Sequence, residues 1–207
     1  MKRTIVVTGT DTDVGKTVFA AGLAAALGAH YWKPVQAGLE DGGDAARVAS
    51  LGVPAGRIVP EAYRLTTPCS PHHAAELDQV SIDPARLALP QLDGRLVVEG
   101  AGGALVPVTR ELLYADLFAQ WGAPVIIVAR TALGTINHSL LTIEALRARG
   151  VAIIGLAFVG EPQDDSEATI CAIGNVTRLG RLPMIDRLDS ERLAAAFAAS
   201  FDLEDFT

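Results

Sequence analysis

Short runs of hydrophobic residues alternate along this chain with longer stretches of helical periodicity. Continuous apolar runs bounded by Gly or Pro are typical of buried parallel strands, and apolar positions three or four apart are typical of helices. The pattern predicts strands over Thr4–Thr8, a short segment ending near Lys33, Leu96–Val98, Val125–Ala129, Ala152–Val159 and Arg178–Leu182. It predicts helices over Gly15–Leu27, Ile136–Arg149 and Ser166–Val176, and a last helix capped by Ser190.

Strand–helix alternation of this kind predicts an α/β fold with a doubly wound, mostly parallel sheet and helices on both faces. The length of 207 residues suits one domain over residues 1–207, and a hydrophobic fraction of 50% provides a sizeable core. Residues 60–90 contain five prolines and are the least regular part of the chain. We expect this part to form loops around a substrate and not a second domain.

The net charge of −7 argues against general nucleic-acid binding, which needs a dense positive surface. An anionic ligand must therefore be held by a local device. No stretch approaches the roughly 18 apolar residues of a membrane span. The apolar run after the basic residues 1–3 is too short for a signal peptide. Cys69 and Cys171 are far apart in sequence and do not suggest a disulfide framework, so the chain is expected to be cytoplasmic. The charge and the short apolar runs predict neither nucleic-acid nor membrane partners.

Residues 9–17 read Gly-Thr-Asp-Thr-Asp-Val-Gly-Lys-Thr and join a predicted strand to a predicted helix, which is the setting of a phosphate-binding loop (P-loop). Backbone N–H groups at such a helix start converge on phosphate oxygens. Lys16 adds a positive charge, and the Thr17 hydroxyl can bind Mg²⁺. The motif is a variant, because Thr10 stands where the first glycine of the usual pattern belongs. The alternative is an ordinary strand–helix turn with an exposed lysine.

Glu99 directly follows the apolar strand Leu96–Val98. Since the carboxyl ends of parallel strands border the ligand crevice of an open α/β sheet, this acid is expected to end its strand and reach Mg²⁺. Gly100, Gly102 and Gly103 would let the backbone approach phosphate or substrate closely. The alternative is a solvated acid at a strand end, followed by a flexible turn.

Two further charged residues have ordinary alternatives. Asp44 follows Gly42 and Gly43 and starts a helical pattern, where it would be either a site carboxylate or a plain helix cap. Lys33 follows a short strand, where it would either project into the crevice or lie on the surface. His72 and His73 lie in a turn after Ser70-Pro71 and do not support a metal site.

Together these motifs resemble the dethiobiotin synthetase family in order and spacing. The residues that carry the resemblance are Val7–Thr17, Trp32–Gln36, Gly43-Asp44, Ser70-Pro71-His72, Val98–Gly103 and Leu133–His138. The phosphate loop is shared with many nucleotide enzymes. The Lys-Pro-Val, Glu-Gly-Ala-Gly-Gly and Leu-Gly-Thr-Ile-Asn-His segments, in this order, are far more specific.

The resemblance implies an ATP-dependent ligase with a P-loop NTPase-like fold. Its substrates would be 7,8-diaminononanoate, CO₂ and ATP, and its product would be dethiobiotin, formed through a carbamate and a carbamic–phosphoric anhydride. Catalysis would fall to Lys16, Lys33 and Thr12, chiefly by electrostatics and positioning.

The ligand contacts implied by the resemblance fall into three sets. Mg²⁺ would be held by Thr17, Asp44 and Glu99. The nucleotide would contact Asp13, Val14, Gly15, Lys16, Thr17, Val18, Asp44, Glu99, Gly100, Ala101, Gly102, Gly160 and Pro183. The diamine substrate would contact Ala37 and Pro71, while Gly134, Thr135, Ile136 and Asn137 of the second subunit of a homodimer would hold its carboxylate at a helix start.

Three positions depart from the family pattern. Asp13 replaces a usual Glu, Ala37 replaces a Ser or Thr near the substrate, and Gly160 replaces an Asn that reads adenine. Rival functions are a ParA- or MinD-like switch ATPase, the synthetase part of a cobyrinate amidotransferase, and a nucleotide-binding module without catalysis. The first carries an extra lysine where this chain has Asp11, and the second needs a glutaminase domain.

Overall fold

A computed structural model describes residues 4–39 and 42–206, so the basic residues 1–3 lie outside the described part. Its strands are β1 (Thr4–Gly9), β2 (His30–Trp32), β3 (Val35–Ala37), β4 (Ile58–Val59), β5 (Tyr63–Leu65), β6 (Leu96–Gly103), β7 (Val125–Arg130), β8 (Ile153–Val159) and β9 (Arg178–Leu182). Its helices are α1 (Lys16–Leu27), α2 (Gly43–Ser50), α3 (Pro71–Leu77), α4 (Tyr114–Trp121), α5 (Thr135–Arg147), α6 (Asp164–Gly174) and α7 (Ser190–Ser200).

Seven strands form one sheet in the order β4-β2-β6-β1-β7-β8-β9, and all their pairings are parallel. A separate parallel pair, β3 and β5, lies beside it. The predicted doubly wound α/β fold is therefore confirmed. No helix of the described ranges is long and apolar enough to cross a bilayer.

Side chains on successive strand residues point to opposite faces of a sheet. The continuous apolar strands therefore supply hydrophobic side chains to both faces, and each face is covered by its own core. On β1, Val6 belongs to one core and Ile5 and Val7 to the other. Helices α4, α5 and α6 pack on the first face, and α1 and α7 on the second. Phe19 of α1 and Phe197 of α7 lie with their ring centroids 5.6 Å apart. Burial on both faces explains why the central strands are nearly uniform in hydrophobicity.

The strand order reverses direction at β1 and β6, and such a switch point is where open α/β sheets bind ligands. Register brings the predicted site residues together here. Val7 pairs with Glu99, and Trp32 pairs with Val98, so Lys33 follows directly beside Glu99. The phosphate loop leaves β1 two residues after Val7.

Two local predictions were wrong. Glu99 does not end its strand, since β6 continues to Gly103, which pairs with Gly9 after an irregularity in register. The glycines that suggested a turn instead lie in an irregular part of β6. Glycine tolerates the backbone dihedral angles that such an irregularity requires. The last helix is capped by Asp189 and not by Ser190, because the Asp189 carboxylate accepts the Arg192 N–H at 2.9 Å.

Other elements lay outside the predictions. The hydrophobic pattern did not indicate α4, whose Asp116 accepts the N–H of Leu113 at 3.0 Å. The irregular residues 60–90 contain β5, α3 and a short 3₁₀ turn. Elements this short bury few residues, so they leave little periodicity in the sequence. Residues 68–71 of this part nevertheless form one wall of a cavity over the phosphate loop.

Candidate active site

The phosphate loop is shaped by two glycines. Gly15 has φ +91°, the left-handed region that favours glycine, and an added Cβ would lie 2.9 Å from Val159 Cγ1. At Gly9 an added Cβ would lie 2.9 Å from Lys16 Nζ. Lys16 Nζ donates to the carbonyl oxygen of Asp11 at 2.8 Å. The lysine thus folds back over its own loop, and the first glycine of the variant motif makes room for it.

Glu99 is the centre of a buried polar cluster. It is 0% exposed, and its two carboxylate oxygens accept from the Thr17 and Tyr31 hydroxyls, each at 2.7 Å. Lys33 Nζ lies 3.5 Å from the same carboxylate and also forms an ion pair with Asp44. The start of α1 and the segment 31–33 therefore converge on one acid of β6, and Asp44 of α2 joins the cluster through Lys33. The alternative of a solvated strand-end acid is wrong, as is that of a surface lysine at Lys33, which is buried.

Burial and neighbouring charges shift the titration of both lysines. Burial alone would lower the pKa of Lys33, but the Glu99 and Asp44 carboxylates outweigh it and hold that pKa above its usual value. Burial lowers the pKa of Lys16, with Glu99 opposing and Lys33 adding to the effect. Burial and Glu99 raise the pKa of Tyr31, which keeps its hydroxyl protonated as a donor. Lys33 consequently stays positively charged throughout the neutral pH range.

A cavity of about 660 Å³ opens over this cluster. The predicted site residues that line it are Thr12, Asp13, Gly15, Lys16, Thr17, Val18, Lys33, Ala37, Asp44, Pro71, Glu99, Ala101 and Gly102. Asp44 is not a helix cap, because Gly42 occupies that position of α2. Gly102 has φ +65°, and an added Cβ would lie 3.5 Å from Thr12 Oγ1, so the bulged strand closes against the phosphate loop.

The remaining predicted residues lie outside this cavity lining. Val14 is buried in the core, and an added Cβ on Gly100 would meet Phe118 at 3.0 Å. Gly160 follows β8, and its N–H bonds to the Leu182 oxygen, directly before Pro183. The segment 134–137 starts α5, where Gly134 is the N-cap residue.

Several residues of the polar cluster and of the cavity lining were not predicted from sequence. Tyr31 was hidden because its ring packs in the core while only its hydroxyl reaches Glu99. Gln36 Oε1 accepts the N–H of Asp44 at 3.0 Å and so fixes the start of α2. Arg47 and Cys69 also line the cavity. The strand that carries Tyr31 reads His-Tyr-Trp, which gave no signal for the contact with Glu99, and Arg47 had no signal either.

The cluster offers oxygen ligands suited to Mg²⁺. Among residues 4–39 and 42–206 no group of three or more His, Cys, Asp or Glu side chains forms a metal site. Mg²⁺, however, is commonly bound by one or two carboxylates while nucleotide phosphates and water complete its shell. Asp44 and Glu99, with the Thr17 hydroxyl 2.7 Å from Glu99, fit this partial set.

Comparison with known proteins identifies the family. Residues 3–192 match the family model described as an AAA domain. The chain is 70% identical to the ATP-dependent dethiobiotin synthetase BioD of Novosphingobium aromaticivorans, over 97% of this chain and 98% of that one. It is 61% identical to the enzyme of the same name from Rhodopseudomonas palustris, over 98% of each chain. The chain belongs to the dethiobiotin synthetase family. The predicted family is thus confirmed.

Solved structures show how widely the fold of this dethiobiotin synthetase family member is shared. A ParA family ATPase from Chlorobium tepidum superposes with a TM-score of 0.58 at 11% identity, over 96% of this chain and 98% of that one. The cell division ATPase MinD of Pyrococcus furiosus superposes with a TM-score of 0.59 at 14% identity, over 100% of both chains. At such identity the likeness shows the fold alone, so it gives no support to a switch-ATPase function.

Proposed function

We propose that this protein is an ATP-dependent dethiobiotin synthetase that converts 7,8-diaminononanoate, CO₂ and ATP to dethiobiotin, ADP and phosphate. The observation that carries the proposal is the convergence of Lys16, Lys33, Asp44 and Glu99 on one cavity, in a chain 70% identical to a dethiobiotin synthetase. A cytoplasmic setting agrees with this biosynthetic role.

The proposed reaction passes through anionic groups, which the cationic side chains of the cavity can bind. One amine adds to CO₂ and loses a proton, which gives a carbamate. A carbamate oxygen then attacks the terminal phosphorus of ATP, ADP leaves, and a carbamic–phosphoric anhydride forms. The second amine attacks the carbonyl carbon, phosphate leaves with the anhydride bond, and loss of a proton completes the cyclic urea.

Each proposed residue has a role in holding these groups. Lys16 binds the nucleotide phosphates, and Lys33 stabilises the carbamate and the phosphoryl group as charge develops during transfer. Thr12 lines the cavity where the loop meets Gly102, and its proposed role is to contact the carbamate. When bound, Mg²⁺ would neutralise phosphate charge, held by Thr17, Asp44 and Glu99.

The proposal is tested by incubating the protein with the diamine, bicarbonate and Mg-ATP. Phosphate release that depends on the diamine, with dethiobiotin identified by mass, is the expected result. ATP hydrolysis that is indifferent to the diamine, without dethiobiotin, would contradict the proposal and favour a different P-loop activity.

The proposed enzyme is a homodimer that shares its sites. Residues 134–137 lie outside the lining of their own cavity at the start of α5, where Gly134 and Asn137 are exposed and free N–H groups attract a carboxylate. Leu133 is 102% exposed next to them, and Leu105 and Leu141 are half exposed along a depression that also contacts the phosphate loop. An exposed apolar surface of this kind favours contact with a second copy.

Mixing two inactive variants, Lys16→Ala and Gly134→Trp, should restore activity. Each heterodimer then keeps one site with an intact phosphate loop from one chain and an intact helix start from the other, so random pairing gives about a quarter of wild-type activity. An added Cβ at Gly134 meets no atom of its own chain within 4 Å, although its φ of +94° strains any other residue. Asn137→Trp provides a second, unstrained blocking variant. Heterodimers seen by native mass spectrometry without recovered activity would contradict a shared site.

Selectivity for the nucleotide base should be weak. Gly160 has no side chain to read adenine, and an added Cβ would lie only 2.4 Å from Thr131 Oγ1, so this chain has no room for one. Most binding energy then comes from the triphosphate, which all nucleotides share. We expect kcat/KM for ATP to exceed that for CTP or GTP by less than about a hundredfold, under roughly 3 kcal/mol. Competition kinetics measure this ratio, and a preference for ATP of about a thousandfold would mean that backbone groups read adenine well.

A further inference from the structure

Arg47 is a cation of the active-site wall that the proposed mechanism has not used. It lies on α2, three residues after Asp44, so both residues occupy one side of the helix. Its side chain lines the active-site cavity and also an adjoining cavity of about 670 Å³. No phosphate-loop residue lines the adjoining cavity, whereas Ala37 lines both. Arg47 therefore stands at the end of the site where the diamine is proposed to bind.

The other cations of the cavity are already engaged. Lys16 donates to the Asp11 carbonyl oxygen, and Lys33 pairs with Asp44 and Glu99. The Arg47 guanidinium forms no hydrogen bond or ion pair with the residues that the structure describes. Arg47 is exposed, and it borders a cavity whose proposed ligands are anions.

The same wall offers few other polar donors. Ala37 has no polar side chain, and the neighbouring Gln36 amide is fully used. Its nitrogen donates to the Ala37 and Gly38 oxygens at 3.3 and 3.0 Å, and its oxygen accepts from Asp44. Among the described residues of β3 and α2, Arg47 is thus the side chain whose N–H donors remain available for a ligand.

We propose that Arg47 binds the carboxylate of the carbamate formed on the diamine and holds it for attack on ATP. This inference rests on the proposed synthetase function. The planar fork of a guanidinium matches the two oxygens of a carboxylate, and such paired, charge-assisted hydrogen bonds are among the stronger polar contacts. The phosphates of ATP are the rival oxyanion, because the phosphate loop and Arg47 line the same first cavity. Arg47 also borders the second cavity, which no phosphate-loop residue lines, so its guanidinium can hold the carbamate from the diamine side while Lys16 holds the phosphates.

Kinetics of Arg47→Ala and Arg47→Lys separate the two anions. With carbamate binding, Arg47→Ala raises KM for bicarbonate and diamine about tenfold and leaves KM for ATP within about twofold, in line with loss of a charged hydrogen bond. Arg47→Lys recovers part of the loss, because it keeps the charge without the fork. Arg187→Ala is the matched control, since Arg187 is an exposed arginine that lines neither cavity.

An isotope-trapping experiment reads the carbamate directly. Enzyme, diamine and labelled bicarbonate are mixed first, and ATP is then added with excess unlabelled bicarbonate. Wild type and the Arg187 variant carry label into dethiobiotin, while Arg47→Ala carries much less. Unchanged trapping, or a rise confined to KM for ATP, would overturn the role of Arg47. If wild type makes no dethiobiotin, the proposed function itself fails, an outcome distinct from failure of Arg47 alone.

Discussion

Lys33→Ala is expected to lower kcat by about a hundredfold or more, the usual cost of removing one preorganised electrostatic group from an active site. The amine is buried between Asp44 and Glu99, and these acids hold it positively charged. Its loss removes the charge that would stabilise the carbamate and the transferring phosphoryl group. Steady-state kinetics with saturating diamine, bicarbonate and Mg-ATP measure the effect.

Two further variants make this result specific. Lys33→Met keeps much of the buried volume without the charge and should lose as much activity as alanine, whereas Lys33→Arg keeps the charge with a different shape. Removing one partner of a buried ion pair also destabilises a protein, by about 3–5 kcal/mol. Thermal unfolding must therefore show that each variant is folded at the assay temperature. A neutral variant that stays folded with kcat within about threefold of wild type would remove Lys33 from the mechanism.

Glu99→Gln is expected to lower kcat by a similar factor, about a hundredfold. The carboxylate accepts from Thr17 and Tyr31, and the nearby Lys33 needs its negative charge. The neutral amide would weaken a proposed Mg²⁺ ligand and leave one acid fewer beside the lysine. Activity measured against free Mg²⁺ should show a higher requirement for the metal, which separates loss of a ligand from general damage.

Glu167→Gln is the matched control for this change. Glu167 is also a buried acid, 1% exposed, and it is bound by Arg178 at 2.7 Å and Arg181 at 2.9 Å away from the active-site cavity. Its amide variant should lose stability but keep kcat and the Mg²⁺ requirement. Equal losses of activity in both variants, or a Glu99 variant with an unchanged Mg²⁺ requirement, would argue that Glu99 serves folding and not metal binding.

The distribution of lysine supports the importance of the cluster. The chain has three lysines and fourteen arginines, and two of the lysines lie in the active-site cavity. A lysine amine is a compact charge on a flexible stem, which suits a single phosphoryl oxygen, while arginine suits a planar pair of acceptors. Arg47 is the arginine among the described residues that line the cavity. The isotope-trapping experiment tests whether it binds the carboxylate of the carbamate.

Sequence determined the fold class and the phosphate loop of this protein. The apolar runs that became β1, β7 and β8 were predicted to within one residue, because strands buried on both faces need nearly continuous hydrophobic residues. The Gly-Lys-Thr segment between strand and helix was equally clear, since local backbone geometry is enough to build it. The order of motifs along the chain also indicated the family.

Tertiary structure decided what those motifs do together. From sequence alone, Lys33 could be a site residue or a surface residue, and Asp44 could be a site carboxylate or a helix cap. The sequence also predicted that β6 ends at Glu99. Trp32 pairs with Val98 and Val7 pairs with Glu99. These pairings place Lys33 and the phosphate loop beside Glu99, and Lys33 also contacts Asp44. Register depends on contacts between segments far apart in the chain, so it cannot be read from local propensity. Tyr31 and Arg47 became visible for the same reason, since only the folded chain brings a core tyrosine to Glu99 and a helix arginine to the cavity.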